Sequence, residues 1–174
     1  MKYAAEEMLK SSGIAWTIVR ATAFLELWID VLNQTARKSG RPLVFGRGEN
    51  PINFVAVRDV ATLVERVVVD TSTRGRTLEI GGVENLSFNQ FAAALLSAGR
   101  VGGPPRHVPP AALVLMAQTL GRIKPELGRQ ARAALAMDRF DFTMTGAGAR
   151  AVFPDLPTTT LADLLADPVG VNQG

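Results

Sequence analysis

The sequence contains no cysteine and a single histidine, His107. The absence of cysteine excludes disulfide bonds, thiolate zinc sites and a cysteine nucleophile. A Ser-His-Asp triad would have to use His107, and a metal site with several histidines is excluded. The sequence also lacks the Gly-Lys-Ser/Thr and Gly-x-Ser-x-Gly motifs, which excludes a P-loop and the nucleophile elbow of hydrolases.

Long apolar runs are missing as well. The longest run, residues 111–117, is far shorter than the ~18 residues of a membrane-spanning helix. The first residues include Glu6 and Glu7 and no apolar run, so no targeting segment is predicted. We therefore expect a cytoplasmic protein without a membrane partner.

The net charge is only +3, and one stretch of the chain is unevenly basic. Residues 99–139 hold seven Lys or Arg against two carboxylates, Glu126 and Asp138. No aromatic residue is interleaved with the basic ones for base stacking. The pattern favours a solvated helical face over a nucleic-acid surface, and no nucleic-acid partner is predicted.

With 174 residues, 47% of them hydrophobic, the chain can form a folded domain with a sizeable core. Asp59 is placed to cap one predicted helix, and Ser87 with Gln90 forms a capping box for another. Periodicity predicts helices and strands in alternation over the first hundred residues. These elements are a helix at 2–10, a strand at 14–19, a helix at 22–37, strands at 43–45 and 52–57, a helix at 60–68, a strand at 77–80 and a helix at 88–96.

Beyond residue 100 the pattern is mainly helical. An extended piece at 106–108 is followed by predicted helices at 110–120, 126–137 and 161–165, the last with a capping box of Thr160 and Asp163. We therefore predict an α/β fold, with residues 1–100 forming part of an α/β domain and residues 101–174 a mainly helical C-terminal lobe packed on it. A doubly wound sheet normally begins with a strand and a phosphate-binding turn. This chain begins with a helix, so its order is that of the second half of such a sheet.

Two glycine-rich segments match a dinucleotide fingerprint only in part. In the first, Gly46-Arg47-Gly48, the third glycine position is occupied by Pro51. In the second, residues 146–151, the letters fit, but Phe153-Pro154 follows at once and prevents a long helix. Neither segment is predicted to bind a phosphate, and the second is interpreted as a loose helix end.

Several short motifs occur in a fixed order along most of the chain. Lys2 and Glu6 lie on the first helix, and Ser12-Gly13 precedes a strand that ends at Arg20. The later motifs are Ala21-Thr22-Ala23-Phe24, Asn53-Phe54-Val55-Ala56-Val57-Arg58-Asp59-Val60-Ala61, Gly81-Gly82 with Leu86-Ser87, and Phe153-Pro154-Asp155-Leu156-Pro157. Together they resemble the short-chain dehydrogenase/reductase superfamily, in the extended or atypical branch that includes NmrA-like and epimerase-like proteins. The resemblance spans nearly the whole chain but only the C-terminal half of the family's fold.

The resemblance implies a partial Rossmann-like, doubly wound sheet, NAD or NADP as cofactor, and a small-molecule substrate. Lys2 would be the active-site lysine that holds the nicotinamide ribose. The tyrosine that normally lies four residues before it would precede Met1, and Tyr3 does not form the pair because Glu7 lies four residues after it. The cofactor would meet Lys2 and the backbone of Ala21, Thr22, Ala23 and Phe24, and the substrate would meet Phe24, Trp28, Asn53 and Val55.

Alternatives to these roles remain open. Phe24 and Trp28 have the spacing of core residues, Lys2 could be a solvated N-terminal charge, and Ala21 replaces the family's usual proline. The implied function is an NAD(P)-binding oxidoreductase that lacks the glycine-rich loop and the catalytic tyrosine, so the chain is expected to be truncated or split. Its partner would be the missing N-terminal half or a second copy. Two further hypotheses are a non-catalytic redox-sensing or protein-binding module that self-associates, and a small isomerase or hydrolase with His107 as base, although a surface or structural histidine is the simpler interpretation.

Overall fold

The computed structural model describes residues 2–119, 124–145 and 147–166, without the side chains of Lys2 and Leu127. The helices are α1 (Lys2–Ser11), α2 (Leu25–Ser39), α3 (Val57–Val69), α4 (Phe88–Ser97), α5 (Pro110–Gln118), α6 (Pro125–Arg139), α7 (Ala147–Arg150) and α8 (Leu161–Ala166), with a 3-10 turn at Thr71–Thr73. The strands are β1 (Thr17–Ala21), β2 (Ala23–Phe24), β3 (Leu43–Phe45), β4 (Ile52–Val55), β5 (Arg76–Ile80), β6 (Asn85–Leu86) and β7 (Arg106–Val108). No helix of these residues is long and apolar enough to cross a membrane.

The strands pair mainly in parallel. β1 pairs with β5 from Thr17 opposite Arg76 to Ala21 opposite Ile80. β2 and β4 are parallel, β4 and β6 antiparallel, and β3 and β7 parallel. The parallel register of β1 and β5 brings their carboxyl ends to the same edge of the sheet.

Two apolar clusters form the core. The first joins α2, β4, α4 and α8, and in it the ring of Phe54 meets Phe88 and Phe91 edge-on, with centroids 6.0 and 5.2 Å away. Edge-to-face pairing is a favoured geometry of buried aromatic rings. The second cluster lies between β5, α3 and α7, and its buried members are Val55, Leu63, Leu78, Ile80, Ala149 and Leu156.

The local helix signals are confirmed. Ser87 and Gln90 bond reciprocally as a capping box, with the Gln90 N–H 3.2 Å from Ser87 Oγ and the Ser87 N–H 2.8 Å from Gln90 Oε1. Thr160 and Asp163 do the same ahead of α8. These two boxes satisfy N–H groups that the first turn of a helix otherwise leaves unpaired.

Several boundaries differ from the prediction. The strand predicted at 52–57 ends at Val55, because Val57 is the first residue of α3. β1 begins at Thr17 instead of Ile14, because Gly75 donates to the Trp16 carbonyl and pairing with β5 starts only there. The helix predicted at 22–37 begins at Leu25, because Ala23 and Phe24 pair with β4 as β2.

The prediction that Asp59 caps a helix is wrong. α3 begins at Val57, and the Val57 N–H donates to the carboxylate of Glu26 from α2, at 2.9 and 3.0 Å. Asp59 instead lies buried in the first turn of α3 and accepts hydrogen bonds from Thr159. A helix end can thus be satisfied by a distant side chain that local spacing does not reveal.

Candidate functional site

The segment of residues 21–24 leaves the carboxyl edge of the β1–β5 pair. The Thr22 N–H donates to the Ile80 carbonyl at 3.1 Å, which extends the pairing one residue beyond the strands. Ala21 is exposed, whereas Thr22, Ala23 and Phe24 are half-buried. Ligands of open α/β sheets bind outside the carboxyl ends of the strands, so this segment lies where such a ligand would sit.

The buried side chain of Asn53 holds this segment in place through Thr22. Its side chain is 1% exposed, and its Oδ1 accepts from Thr22 Oγ1 at 3.0 Å and from the Gly82 N–H at 2.9 Å. Its amide nitrogen lies 3.1–3.3 Å from four acceptors, which are the carbonyls of Gly82, Glu84 and Met144 and Oδ1 of Asn85. A buried amide with all its hydrogen bonds satisfied holds its neighbours in one arrangement. Asn53 therefore ties the turn after β5 to Thr22.

The turn after β5 has no space for side chains. A Cβ on Gly82 would overlap the carbonyl oxygen of Phe54, and one on Gly81 would overlap Oδ1 of Asn53. From the sequence, the Gly81-Gly82 pair was identified only as a family motif, and the close approach of two backbones was not predicted. A glycine pair directly after a strand is the sequence signal for it.

A second network, formed by Asp59, Thr159 and Arg150, also holds this turn. The buried carboxylate of Asp59 accepts from Thr159 N at 2.9 Å and Thr159 Oγ1 at 2.6 Å. Arg150 lies 3.7 Å from the same carboxylate and donates to the carbonyls of Gly81 and Pro157 at 2.6 and 2.8 Å. Sequence reasoning missed these residues because about a hundred positions separate Asp59 from Thr159.

The predicted cofactor and substrate residues fall into two places. Phe24 packs in the second cluster with Val55, which is fully buried. Trp28 packs against the first cluster, with its ring centroid 4.5 Å from that of Phe88. Asn53 and Thr22 are bonded to each other, but Phe24 and Trp28 belong to different clusters, so the structure does not gather the predicted set around one point.

Lys2 is the first residue of α1, and its side chain lies outside what the structure describes. The helix that carries it is attached to the sheet through Arg20. The guanidinium of Arg20 lies 2.6 Å from Glu6 of α1 and 3.4 Å from Glu79 of β5. This hydrogen bond to Arg20 lowers the pKa of the half-buried Glu6 carboxyl.

Trp28 also lines an apolar cavity of about 330 Å³. The cavity lies between α2, β3, α5 and α6, and no charged residue is among its described lining. The lining residues are Trp28, Val31, Phe45, Leu113, Met116, Gln130, Ala131, Ala133, Ala134 and Met137.

The described parts of the two glycine-rich segments are closely packed. The turn of Gly46 and Gly48, both with positive φ, is filled by the side chains of Asp138 and Asn89. Gly148 lies in α7, which is only four residues long, and a Cβ there would come 2.9 Å from the Glu79 carbonyl. Gly146 lies outside the described residues.

His107 lies exposed on β7, in agreement with the surface interpretation. Its Nε2 is 2.8 Å from Asn89 Oδ1, and Asn89 donates in turn to the Arg47 carbonyl. Among the described residues, no carboxylate or hydroxyl group hydrogen-bonds to His107. The arrangement of a base oriented by an acid next to a nucleophile is therefore not seen there.

The arginines of α6 that were predicted to be solvated, Arg129, Arg132 and Arg139, are exposed.

No family model matches the chain. A curated relative, prestalk A differentiation protein A of Dictyostelium discoideum, is 26% identical over 87 residues, which are 50% of this chain and 29% of that protein. Among solved structures, a nucleoside-diphosphate-sugar epimerase from Staphylococcus aureus is similar with a TM-score of 0.70 at 20% identity, over 95% of this chain and 57% of that one. An NADPH-dependent quinone oxidoreductase from Escherichia coli is similar with a TM-score of 0.73 at 20% identity, over 94% and 58%.

These similarities establish the fold. A triphenylmethane reductase from Citrobacter sp., solved with NADP(H), aligns over 94% of this chain and 56% of its own at a TM-score of 0.68 and 14% identity. The chain thus has a Rossmann-like α/β fold shared with NAD(P)-binding reductases and epimerases, and it spans little more than half the length of those structures. The predicted partial fold of this type is confirmed.

Proposed function

We propose that the chain forms the substrate-side part of an NAD(P)-dependent oxidoreductase of the short-chain dehydrogenase/reductase type. The observation that carries this proposal is the position of residues 21–24 at the carboxyl edge of the β1–β5 pair. Their backbone is held there by the bond from Thr22 to buried Asn53, and Ala21 is exposed to a ligand. The fold shared with reductases supports the same assignment. Such a reductase draws on the cofactor pool of the cytoplasm, where we place the protein.

The described residues fit one end of a nicotinamide cofactor. Ala21 is exposed and Phe24, three residues later, is half-buried, so both are accessible to the amide and ring of a nicotinamide. A bound nicotinamide supplies or accepts a hydride at C4. In this proposal Phe24 packs against the nicotinamide ring, Lys2 orients the ribose, and Asn53 holds Thr22 in place.

The diphosphate end of the cofactor has no holder among the described residues. The turn at Gly46 and Gly48 is filled by protein side chains, and α7 is a helix of four residues. We propose that the phosphate-binding loop belongs to polypeptide outside these 174 residues, either upstream in the same protein or in a partner.

The open edge of β1 is where that polypeptide would attach. Within the described part of the chain, β1 pairs with β5 alone. Met8 of α1, on one face of β1, is 73% exposed, and Val68 of α3, on the other face, is 76% exposed. Arg20 and Val19 of β1 contact these two helices from opposite faces of the strand. A further parallel strand would pair with this edge and cover both apolar surfaces.

The 174-residue chain is expected to bind NADH and NADPH with dissociation constants weaker than about 1 mM. The reason is that it offers the nicotinamide end a surface but gives the diphosphate no N–H cradle. Isothermal titration calorimetry with each nucleotide measures this. As a control, a protein extended upstream of Met1 through any in-frame strand and glycine-rich loop is expected to bind in the micromolar range. Micromolar binding by the 174 residues alone would contradict the proposal that the phosphate-binding loop lies outside them.

The second candidate is a non-catalytic module that self-associates. The observation that favours it is the same unpaired β1 edge with apolar Met8 and Val68 beside it, because a second copy could cover it. Light scattering with size-exclusion chromatography distinguishes the two. On this candidate we expect a dimer that Val68→Glu converts to a monomer while exposed Leu115→Glu does not, and a clean monomer for the unaltered chain argues against it.

A further inference from the structure

We propose that the apolar cavity between α2, β3, α5 and α6 binds an uncharged, planar small molecule with one or two rings and a carbonyl or hydroxyl group. This deepens the proposed function and rests on it in one respect. Under the proposed function, the ligand of this cavity is the substrate of the reductase. The cavity of about 330 Å³ falls at the small end of the range for ligand pockets, which is about 300–1,000 Å³.

The lining determines the charge of the ligand. Aliphatic, aromatic and thioether side chains form most of the surface, and none of the described lining residues carries a charge. A charged ligand group would lose its hydration there without gaining a partner of opposite charge, which is costly in an apolar site. Met116 and Met137 add polarizable sulfur to opposite sides of the cavity, on α5 and α6, and thioethers pack favourably against aromatic rings.

Two lining side chains provide the polar contacts. Trp28 carries an indole N–H and Gln130 an amide, and neither hydrogen-bonds to any residue that the structure describes. Each can therefore donate to a ligand oxygen, Gln130 from the exposed part of the lining, and the Gln130 carbonyl can also accept from a ligand hydroxyl. A few polar groups within an apolar lining are what orient a ligand in such a pocket.

Contacts outside the cavity hold two of its walls. Trp28 is held by its tilted contact with Phe88, and Phe88 in turn meets Phe54. The end of α6 is anchored by the buried Asp138, whose Oδ1 accepts from the Arg47 N–H at 2.7 Å. Fixed walls reduce the entropy that binding must overcome.

α6 leaves the space open through small side chains. Ala131, Ala133 and Ala134 all line the cavity, and larger side chains at these positions would fill it.

The cavity also lies close to the segment at the carboxyl edge of β1. Trp28 is one helical turn into α2, about 6 Å along the helix axis from Phe24. A ligand against Trp28 therefore lies about one helical turn along α2 from the residue proposed to contact the nicotinamide.

The test uses two probes that differ in charge, neutral N-phenylnaphthylamine and its anionic relative anilinonaphthalene sulfonate. In the Trp16→Phe variant Trp28 is the remaining tryptophan, and energy transfer from it to each probe reports binding. We expect the neutral probe to bind with a dissociation constant of about 10 μM or tighter, and the anionic probe about tenfold more weakly. Equal affinity for the two probes, or neutral-probe binding far weaker than this, would overturn the proposal.

Three variants on α6 locate the binding. Ala134→Phe and, nearer the rim, Ala133→Phe are expected to weaken neutral-probe binding by about tenfold, because each ring occupies the cavity. Arg132→Phe is the control, because Arg132 is exposed on the same helix and does not line the cavity. Thermal melting checks that each variant is folded. If both alanine variants remain folded and keep full affinity, the probe binds elsewhere and the proposal fails.

The cofactor proposal and the cavity proposal can fail separately. The probe measurements contain no nucleotide, so their outcome does not depend on whether the chain binds NAD(P)H. Probe binding without a functional cofactor site in the extended protein would leave a small-molecule-binding protein of another class. Cofactor binding without probe binding would leave a reductase whose substrate lies outside this cavity.

Discussion

Replacing Gly82 with alanine is expected to lower the free energy of unfolding by about 3 kcal/mol or more, which is a large part of the about 5–15 kcal/mol that stabilises an ordinary domain. The added Cβ would overlap the carbonyl oxygen of Phe54. Phe54 is a buried residue of β4 whose ring packs against Phe88 and Phe91, so its backbone cannot move aside without disturbing the first cluster. Urea unfolding followed by circular dichroism measures the loss.

The matched control for this substitution is Gly103→Ala. The nearest atom to a Cβ at Gly103 is Arg41 Cγ at 3.6 Å, which is an ordinary contact, and its φ is not positive. We expect its unfolding free energy to change by less than about 0.5 kcal/mol. If Gly82→Ala unfolds at the same urea concentration as this control, the close approach of the two backbones is not a constraint.

The second large effect is expected from Asp59→Ala, at about 3–5 kcal/mol of lost stability. The substitution removes both acceptors from Thr159 and the carboxylate beside Arg150. A half-buried guanidinium that loses its carboxylate, together with a buried N–H and hydroxyl of Thr159 left without their acceptor, accounts for the size of the effect. Urea unfolding measures it, and limited proteolysis should detect loosening of residues 157–166.

Asp155→Ala is the control for Asp59. Asp155 also pairs with an arginine, Arg66, but its side chain is 61% exposed. Exposed ion pairs contribute about 0–1 kcal/mol, so this variant should be nearly as stable as the parent. Equal losses from the two aspartates would show that burial of Asp59 does not matter.

Elements with local signals were predictable from the sequence. The helix after Ser87 and the last helix after Thr160 each depend on a side chain three residues later, and both were placed correctly. The start of α3 was not, because its first N–H is satisfied by Glu26, thirty-one residues earlier. Rules based on spacing describe neighbours along the chain and do not predict a carboxylate that another helix provides.

The candidate site divides in the same way. The segment at residues 21–24 could be proposed because its motif resembles that of the short-chain dehydrogenase/reductase superfamily. The cavity could not, because its lining comes from four elements and the spacing of Trp28 fits core packing as well as ligand contact. Arg150 was likewise hidden, since its role depends on the approach of Gly81, sixty-nine residues away.

Both apolar clusters have a consequence for how the protein folds. The first includes Leu161 and Leu164, and the second includes Ala149 and Leu156. Neither cluster is complete without these late residues, so contacts between positions far apart in the sequence must form before the core closes. Such long-range contacts slow folding.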